Sequence, residues 1–199
     1  TDKAAAPINL YGATKLVSDK LFISANNIKG SKDLRFCAVR YGNVMGSNGS
    51  VIPFFLNKRK EGVLPITHTE MTRFNISLQD GVEMVLHAIE NAWGGEIFIP
   101  KIPSYHILDL KEAIAPECAI KYIGIRPGEK IHEEMISEHD SPHTLDLGDC
   151  YVITPSSDVS IMNTYLQVKN AVRVPKGFVY SSGSNEEFLS ITDLKNLIS

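Results

Sequence analysis

Long apolar runs are missing from this 199-residue chain. No stretch approaches the ~20 residues that a membrane-spanning helix needs, so no membrane association is expected. An excess of either charge is missing too. Twenty Lys and Arg face 23 Asp and Glu, a net charge of −3, which leaves no basic footprint for nucleic acid. The three cysteines, Cys37, Cys118 and Cys150, are odd in number and widely spaced. They offer neither a disulfide framework nor metal-ligand spacing, and they read as reduced thiols of a cytoplasmic protein. The first residues carry no signal-peptide pattern. His139 and His143 lie four apart, but Pro142 between them and the lack of a third ligand favour a polar loop, so no metal is expected. Most telling, no G-x-G-x-x-G turn occurs anywhere. That turn is the device that seats a dinucleotide pyrophosphate at a helix start.

What is present is ordinary globular composition, 43% hydrophobic and 22% charged, enough for one domain or a small domain plus part of another. Residues 8–27 read as a helix, with Leu10, Ala13, Val17, Leu21 and Ala25 on one stripe, Pro7 before its first turn and Gly30 past its end. Leu34–Tyr41 reads as a buried parallel strand. A glycine-rich loop follows, and helix, strand and loop together form half of a doubly wound unit. Further helices are expected over 51–60, 78–91 (Val82, Val85, Leu86 and Ile89 on one side), 108–115 and 191–197. Strands are expected over 95–100 and 120–123. Residues 137–184 read as loop-rich, with Tyr151–Ile153 as their best strand. There is no repeat, heptad or low-complexity linker.

Tyr11 and Lys15 lie four apart, hence on one helix face one turn from each other. A lysine charge nearby favours phenolate, and a phenolate beside a sugar hydroxyl can act as base during hydride transfer. Tyr-x-x-x-Lys alone is common on surface helices. Here it follows Thr1-Asp2-Lys3 and precedes Arg40-Tyr41-Gly42-Asn43-Val44-Met45-Gly46-Ser47-Asn48-Gly49-Ser50. Met71-Thr72-Arg73-Phe74, Gly95-Glu96-Ile97-Phe98-Ile99-Pro100-Lys101 and Ile125-Arg126-Pro127-Gly128-Glu129-Lys130-Ile131-His132-Glu133 come later in the same order. These blocks resemble the extended short-chain dehydrogenase/reductase superfamily. Within it they look most like the inverting UDP-N-acetylglucosamine 4,6-dehydratases of bacterial surface-glycan and nonulosonic acid synthesis.

The resemblance implies an α/β fold, part of a doubly wound (Rossmann-like) parallel sheet with a smaller mixed substrate-binding domain. Residues 1–55 would be the carboxy-terminal part of the dinucleotide-binding domain and 56–199 mostly the substrate domain. The chain begins where the family's fifth sheet strand ends. It is therefore expected to be inactive by itself, and to associate through the unpaired edge of Leu34–Tyr41; a homo-oligomer is expected. The implied cofactor is NADP, with NAD the alternative, and the implied partner is a UDP-sugar.

The implied roles follow residue by residue. Tyr11 is the base for C4 oxidation, Lys15 supports it and bonds the nicotinamide ribose, and Thr1 bonds the C4 oxygen. Asp2-Lys3 stands where retaining relatives carry Asp-Glu, which makes Lys3 the C5 base and Asp2 the acid at C6. Lys3 must then be able to lose its proton near neutrality. Val44 flanks the nicotinamide by its backbone. Asn43 reaches substrate from a strand's carboxyl end, where open α/β sheets bind ligands. Ser50 and Val51 start a helix whose free N–H groups suit a phosphate oxygen. Thr67, in Pro65-Ile66-Thr67, resembles the segment that reads uracil. Arg73 either touches substrate or holds its loop. Asn75 replaces an aromatic common in the family, which leaves the sugar's C2 substituent open. Arg126 offers a planar fork in a rigid turn, suited to a diphosphate, with a surface ion pair to Glu129 or Glu133 as the plainer alternative. Tyr180, Ser181 and Ser182 resemble a uridine-ribose segment. Two other functions compete: a C4 or C5 epimerase of the same superfamily, which shares Tyr11 and Lys15, and a non-catalytic sugar-nucleotide-binding fragment.

Overall fold

The computed structural model describes residues 1–198, which divide into two compact units. The first gathers residues 1–41, 79–101 and 134–180; the second gathers 42–78, 102–133 and the segment from 181 onward.

The first unit opens on a 3-10 turn at Asp2–Ala4. Helix α1 (Leu10–Ser24) begins where the Asn9 side chain accepts the Gly12 N–H at 2.8 Å, satisfying one of the donors a helix start leaves open. A Cβ on Gly12 would stand 2.7 Å from the Lys3 carbonyl oxygen and 2.9 Å from the Pro7 Cβ. Glycine is what lets this first turn lie against the Asp2–Lys3 turn. Strand β1 (Ala38–Val39) pairs in parallel with β5 (Ile97–Pro100), which bears out the α/β class and the parallel pairing, but the strand is shorter than the expected Leu34–Tyr41 and only half-buried, with Leu34 exposed. β10 (Cys150–Ile153), β9 (Thr144–Asp146) and β11 (Val172–Arg173) extend the sheet in antiparallel fashion. β5 is buried at every position, as a strand covered on both faces must be. Its Phe98 packs with Met84 and Ala88 of α3 (Leu78–Asn91) and with Met162 and Tyr165 of α5 (Val159–Val168). The wholly buried Glu96 closes the turn before β5. It accepts the N–H of Trp93 at 2.6 Å, that of Gly94 at 2.7 Å and the Tyr165 hydroxyl at 3.2 Å. β8 (Glu134–Ile136) completes the unit.

In the second unit β2 (Asn43–Val44) pairs in parallel with β4 (Thr72–Ile76), and β4 pairs antiparallel with β6 (Ser104–His106). A separate parallel pair joins β3 (Val63–Ile66) to β7 (Ala119–Tyr122). Helices α2 (Val51–Lys58), α4 (Ile107–Ile114) and α6 (Ile191–Ile198) contribute Phe55, Leu110 and Leu194 to one core with Leu64, Ile66 and Tyr105. All five residues of β4 are buried. β12 (Tyr180–Ser181) leads into the last segment.

Three expectations need correction. Helix α5 forms inside the stretch expected to be loop-rich; Asp158 caps it by accepting the Ser160 N–H at 2.9 Å. The apolar stripe of α1 faces outward, with Leu10, Val17 and Leu21 exposed and Gly12 buried. Likewise Val82, Val85, Leu86 and Ile89 form the outer face of α3, while Gly81, Met84 and Ala88 turn inward. Small residues mark the buried side of both helices because they permit close approach. Among the described residues β1 is the terminal strand of its sheet.

Candidate functional site

Thr1, Asp2, Lys3, Tyr11 and Lys15 all belong to the first unit. The Lys3 N–H reaches Thr1 Oγ1 at 3.4 Å, and the Thr1 hydroxyl donates to Asp2 Oδ1 at 3.1 Å. Lys3 Nζ lies 3.1 Å from Asp2 Oδ2. Asp2 is only 3% exposed, whereas 32% of the Lys3 side chain is open. A buried carboxylate is thus paired with an ammonium that still meets solvent. The Asp2 N–H also donates to the Tyr41 carbonyl at 3.2 Å, tying this turn to the segment after β1. On the first turn of α1, Tyr11 is exposed and Lys15 Nζ sits 5.3 Å from its ring centroid, inside the ~6 Å reach of a cation–π contact. One local framework (the turn, the Gly12 contact and α1) therefore holds all five residues. Arg40, buried below α1, has a scaffolding place instead. It donates to the Met135 carbonyl at 2.8 Å and faces Asp19 Oδ2 at 3.3 Å and Asp140 Oδ2 at 3.6 Å.

Asn43, Val44, Ser50, Val51, Thr67, Arg73, Arg126, Ser181 and Ser182 fall in the second unit. Asn43 bonds the phenol of Tyr105, whose pKa is pushed up to about 12 by burial, against the opposing pull of the Arg73 charge and of that Asn43 bond. Val44 pairs with Ile76 across the β2–β4 ladder. Ser50 caps α2 with an extended backbone and no side-chain bond. Its Oγ is buried without a hydrogen-bond partner among the described residues, and Val51 opens the helix. Thr67 donates to Met71 Sδ at 3.2 Å, while one edge of the preceding β3 is taken by β7.

Arg73 points its guanidinium at the 130–131 loop. Buried on β4, it donates to the carbonyls of Thr72 at 2.6 Å, Ile131 at 2.9 Å and Lys130 at 3.1 Å. Arg126 is exposed in its turn; its N–H meets Glu129 Oε2 at 3.3 Å and its carbonyl accepts the Glu129 N–H at 3.0 Å. Ser181 Oγ accepts the Gly183 N–H at 3.3 Å. Ser182 is wholly buried, its oxygen accepting the Glu133 N–H at 2.9 Å. Tyr180, in the first unit, is buried against Tyr151. Sequence reasoning missed Tyr105 and His132. Nothing in its neighbours marks Tyr105, but His132 lies inside the Ile125–Glu133 block and could have been found there.

The family model described as "Polysaccharide biosynthesis protein" matches residues 1–155. The chain is 52% identical over its whole length to a UDP-N-acetylglucosamine 4,6-dehydratase (inverting) of Campylobacter jejuni, of which it covers 61%. It is 36% identical to a UDP-glucose 4-epimerase of Rickettsia canadensis, again over its whole length and 59% of that protein. The X-ray structure of Pen from Bacillus thuringiensis superposes with a TM-score of 0.84 at 37% identity, over 99% of this chain and 60% of that one. The chain thus spans about three fifths of the length of these relatives.

Proposed function

Because the chain belongs to the polysaccharide biosynthesis protein family, we propose that it carries the catalytic residues and substrate contacts of a UDP-N-acetylglucosamine 4,6-dehydratase that inverts C5. The observation that carries this reading is the buried Asp2 paired with Lys3 at 3.1 Å beside the helix turn that presents Tyr11. A simple C4 epimerase needs no acid and base for C5 and C6, so this pair favours dehydration over the activity named for the Rickettsia relative.

The cofactor we propose is NADP. The open phenol of Tyr11 and the ammonium of Lys15 above it fit the nicotinamide ribose end of such a group. The sequence holds no glycine-rich turn for its pyrophosphate. Such a group would supply the hydride acceptor for C4 oxidation and the hydride donor for reduction at C6. Tyr11 takes the C4 hydroxyl proton, and Thr1 bonds the same oxygen. A ketone at C4 acidifies the C5 hydrogen. A proton shift across the 3.1 Å contact turns the Lys3–Asp2 ion pair into an amine and a carboxylic acid, the base and acid that elimination requires. Lys3 then removes the C5 proton, Asp2 protonates the C6 hydroxyl, and water leaves. Return of a proton to the opposite face of C5 inverts it.

Substrate is held by the second unit. Arg126 takes the diphosphate, the α2 start at Ser50 and Val51 takes a phosphate oxygen, and Asn43 reaches the sugar. Thr67 and Ser181 are the proposed nucleoside contacts. Product analysis tests the reading: a 4-keto-6-deoxy sugar supports it, and a C4 epimer alone refutes it.

A further inference from the structure

Three sequence segments, Thr72-Arg73, Ile125–Glu133 and Ser181-Ser182, meet at one buried point of the second unit. Thr72 Oγ1 lies 2.8 Å from His132 Nδ1 and 2.8 Å from Ser182 Oγ. Ser182 Oγ accepts the Glu133 N–H at 2.9 Å and also reaches the Thr72 carbonyl at 3.3 Å, while the Ser182 N–H donates to the Glu133 carbonyl at 2.8 Å. Thr72 and Ser182 are almost wholly buried, so each polar atom needs these partners. The His132 ring rests on the bare face of Gly183. A Cβ there would stand 2.5 Å from its Cγ and 2.6 Å from its Nδ1.

We infer that His132 is a positioning residue: with Thr72 and Ser182 it latches the loop 126–133 onto β4, and so fixes Arg126 for the substrate diphosphate. The inference rests on the assignment of Arg126 made above. The link to Arg126 is continuous. Glu129 accepts the Arg126 N–H through Oε2 and faces Arg73 through Oε1 at 3.8 Å, and Arg73 binds the carbonyls of Lys130 and Ile131 next to His132. Arg73 thus grips the loop at its middle and His132 grips it at its end.

The neutral ring suits this task. Burial is the first cause that lowers the His132 pKa; the Arg73, His106 and His68 charges push the same way, and Glu70 opposes them. With Nδ1 as acceptor, the Thr72 hydroxyl donates to the ring and the Ser182 hydroxyl donates to Thr72, which gives Nδ1 and both hydroxyls a partner. Ser182 consequently serves the loop and not the ribose.

The test is calorimetric titration of UDP at neutral pH into the wild-type chain and five variants, with thermal melts as control. His132→Ala is expected to weaken UDP binding at least about tenfold, toward the ~10²-fold that a misplacement of about 1 Å can cost. Gly183→Ala keeps the histidine but pushes its ring aside, and should act in the same direction even where His132→Ala folds poorly. His132→Asn, which retains an acceptor near the Nδ1 position, should recover most of the affinity; loss equal to that of His132→Ala counts against the latch. In an Arg126→Ala background, His132→Ala should add less than about twofold, because coupled sites are non-additive. Unchanged affinity in His132→Ala and Gly183→Ala overturns the latch and leaves the function standing. Fully additive losses overturn it as well. If Arg126→Ala leaves UDP affinity unchanged, the diphosphate assignment falls and the latch with it, while UDP binding by the wild type still upholds a nucleotide-sugar site.

Discussion

Replacing Lys3 by alanine separates the two halves of the proposed reaction. The substitution removes the ammonium 3.1 Å from Asp2 Oδ2 and leaves Tyr11, Lys15 and Thr1 in place. Loss of a positioned base costs ~10²–10⁴-fold in rate, which is roughly 2.7–5.4 kcal/mol of barrier at ~1.36 kcal/mol per decade. A second effect runs beside it. Asp2 is 3% exposed and keeps the Thr1 hydroxyl but loses its cation. Breaking a buried ion pair costs about 3–5 kcal/mol, and because 32% of the Lys3 side chain is open the low end of that range, or less, is expected. Asp2→Asn added to Lys3→Ala should restore stability without restoring catalysis, since it removes the stranded charge. The assay is single turnover, in D2O, of a cofactor-loaded protein of the relatives' full length that carries the substitution. Reduced-nicotinamide absorbance should still appear, reporting C4 oxidation, while deuterium at C5 should not. Retained C5 exchange, or a rate loss below about tenfold, refutes the base assignment of Lys3.

Gly12→Ala places a methyl 2.7 Å from the Lys3 carbonyl oxygen. It should cost about 1–3 kcal/mol in chemical denaturation and shift Tyr11 away from the Asp2–Lys3 turn, lowering kcat. Arg126→Lys keeps the charge but loses the bidentate fork, and should weaken UDP binding by about 1–3 kcal/mol; unchanged affinity returns Arg126 to a surface role. The 199-residue chain with added NADP should show no turnover and weak NADP binding, because its sequence holds no glycine turn for the pyrophosphate; dehydration under those conditions places the cofactor in a segment assigned here to substrate.

Much of the architecture was legible because local rules governed it. The 78–91 helix, α1 and the parallel pairing of β1 with β5 follow from apolar periodicity, the Pro7 and Gly30 boundaries and the helix–strand–glycine-loop order. The sequence pattern misled where burial depends on smallness: large apolar residues on α1 and α3 drew attention to what are outer faces, while Gly12, Gly81 and Ala88 lie inside. Helix α5 was hidden because Ser160, Asn163 and Thr164 break its apolar stripe, and its Asp158 cap is a single residue in a polar run. At the site, the five positions proposed as catalytic were named from motif blocks, and the structure holds them in one local framework. The partners of Asn43 and Thr72 were not legible, since Tyr105 and His132 reach them from 62 and 60 residues away in the chain, and such pairings are decided by topology.

The most direct test is NMR of the product made from UDP-N-acetylglucosamine in D2O by a cofactor-loaded protein of the relatives' full length that carries these residues. The account predicts a 4-keto-6-deoxy UDP-sugar with deuterium at C5 and the C5 configuration inverted. A product that keeps its C6 hydroxyl and differs only at C4, or a keto sugar with C5 retained, contradicts it.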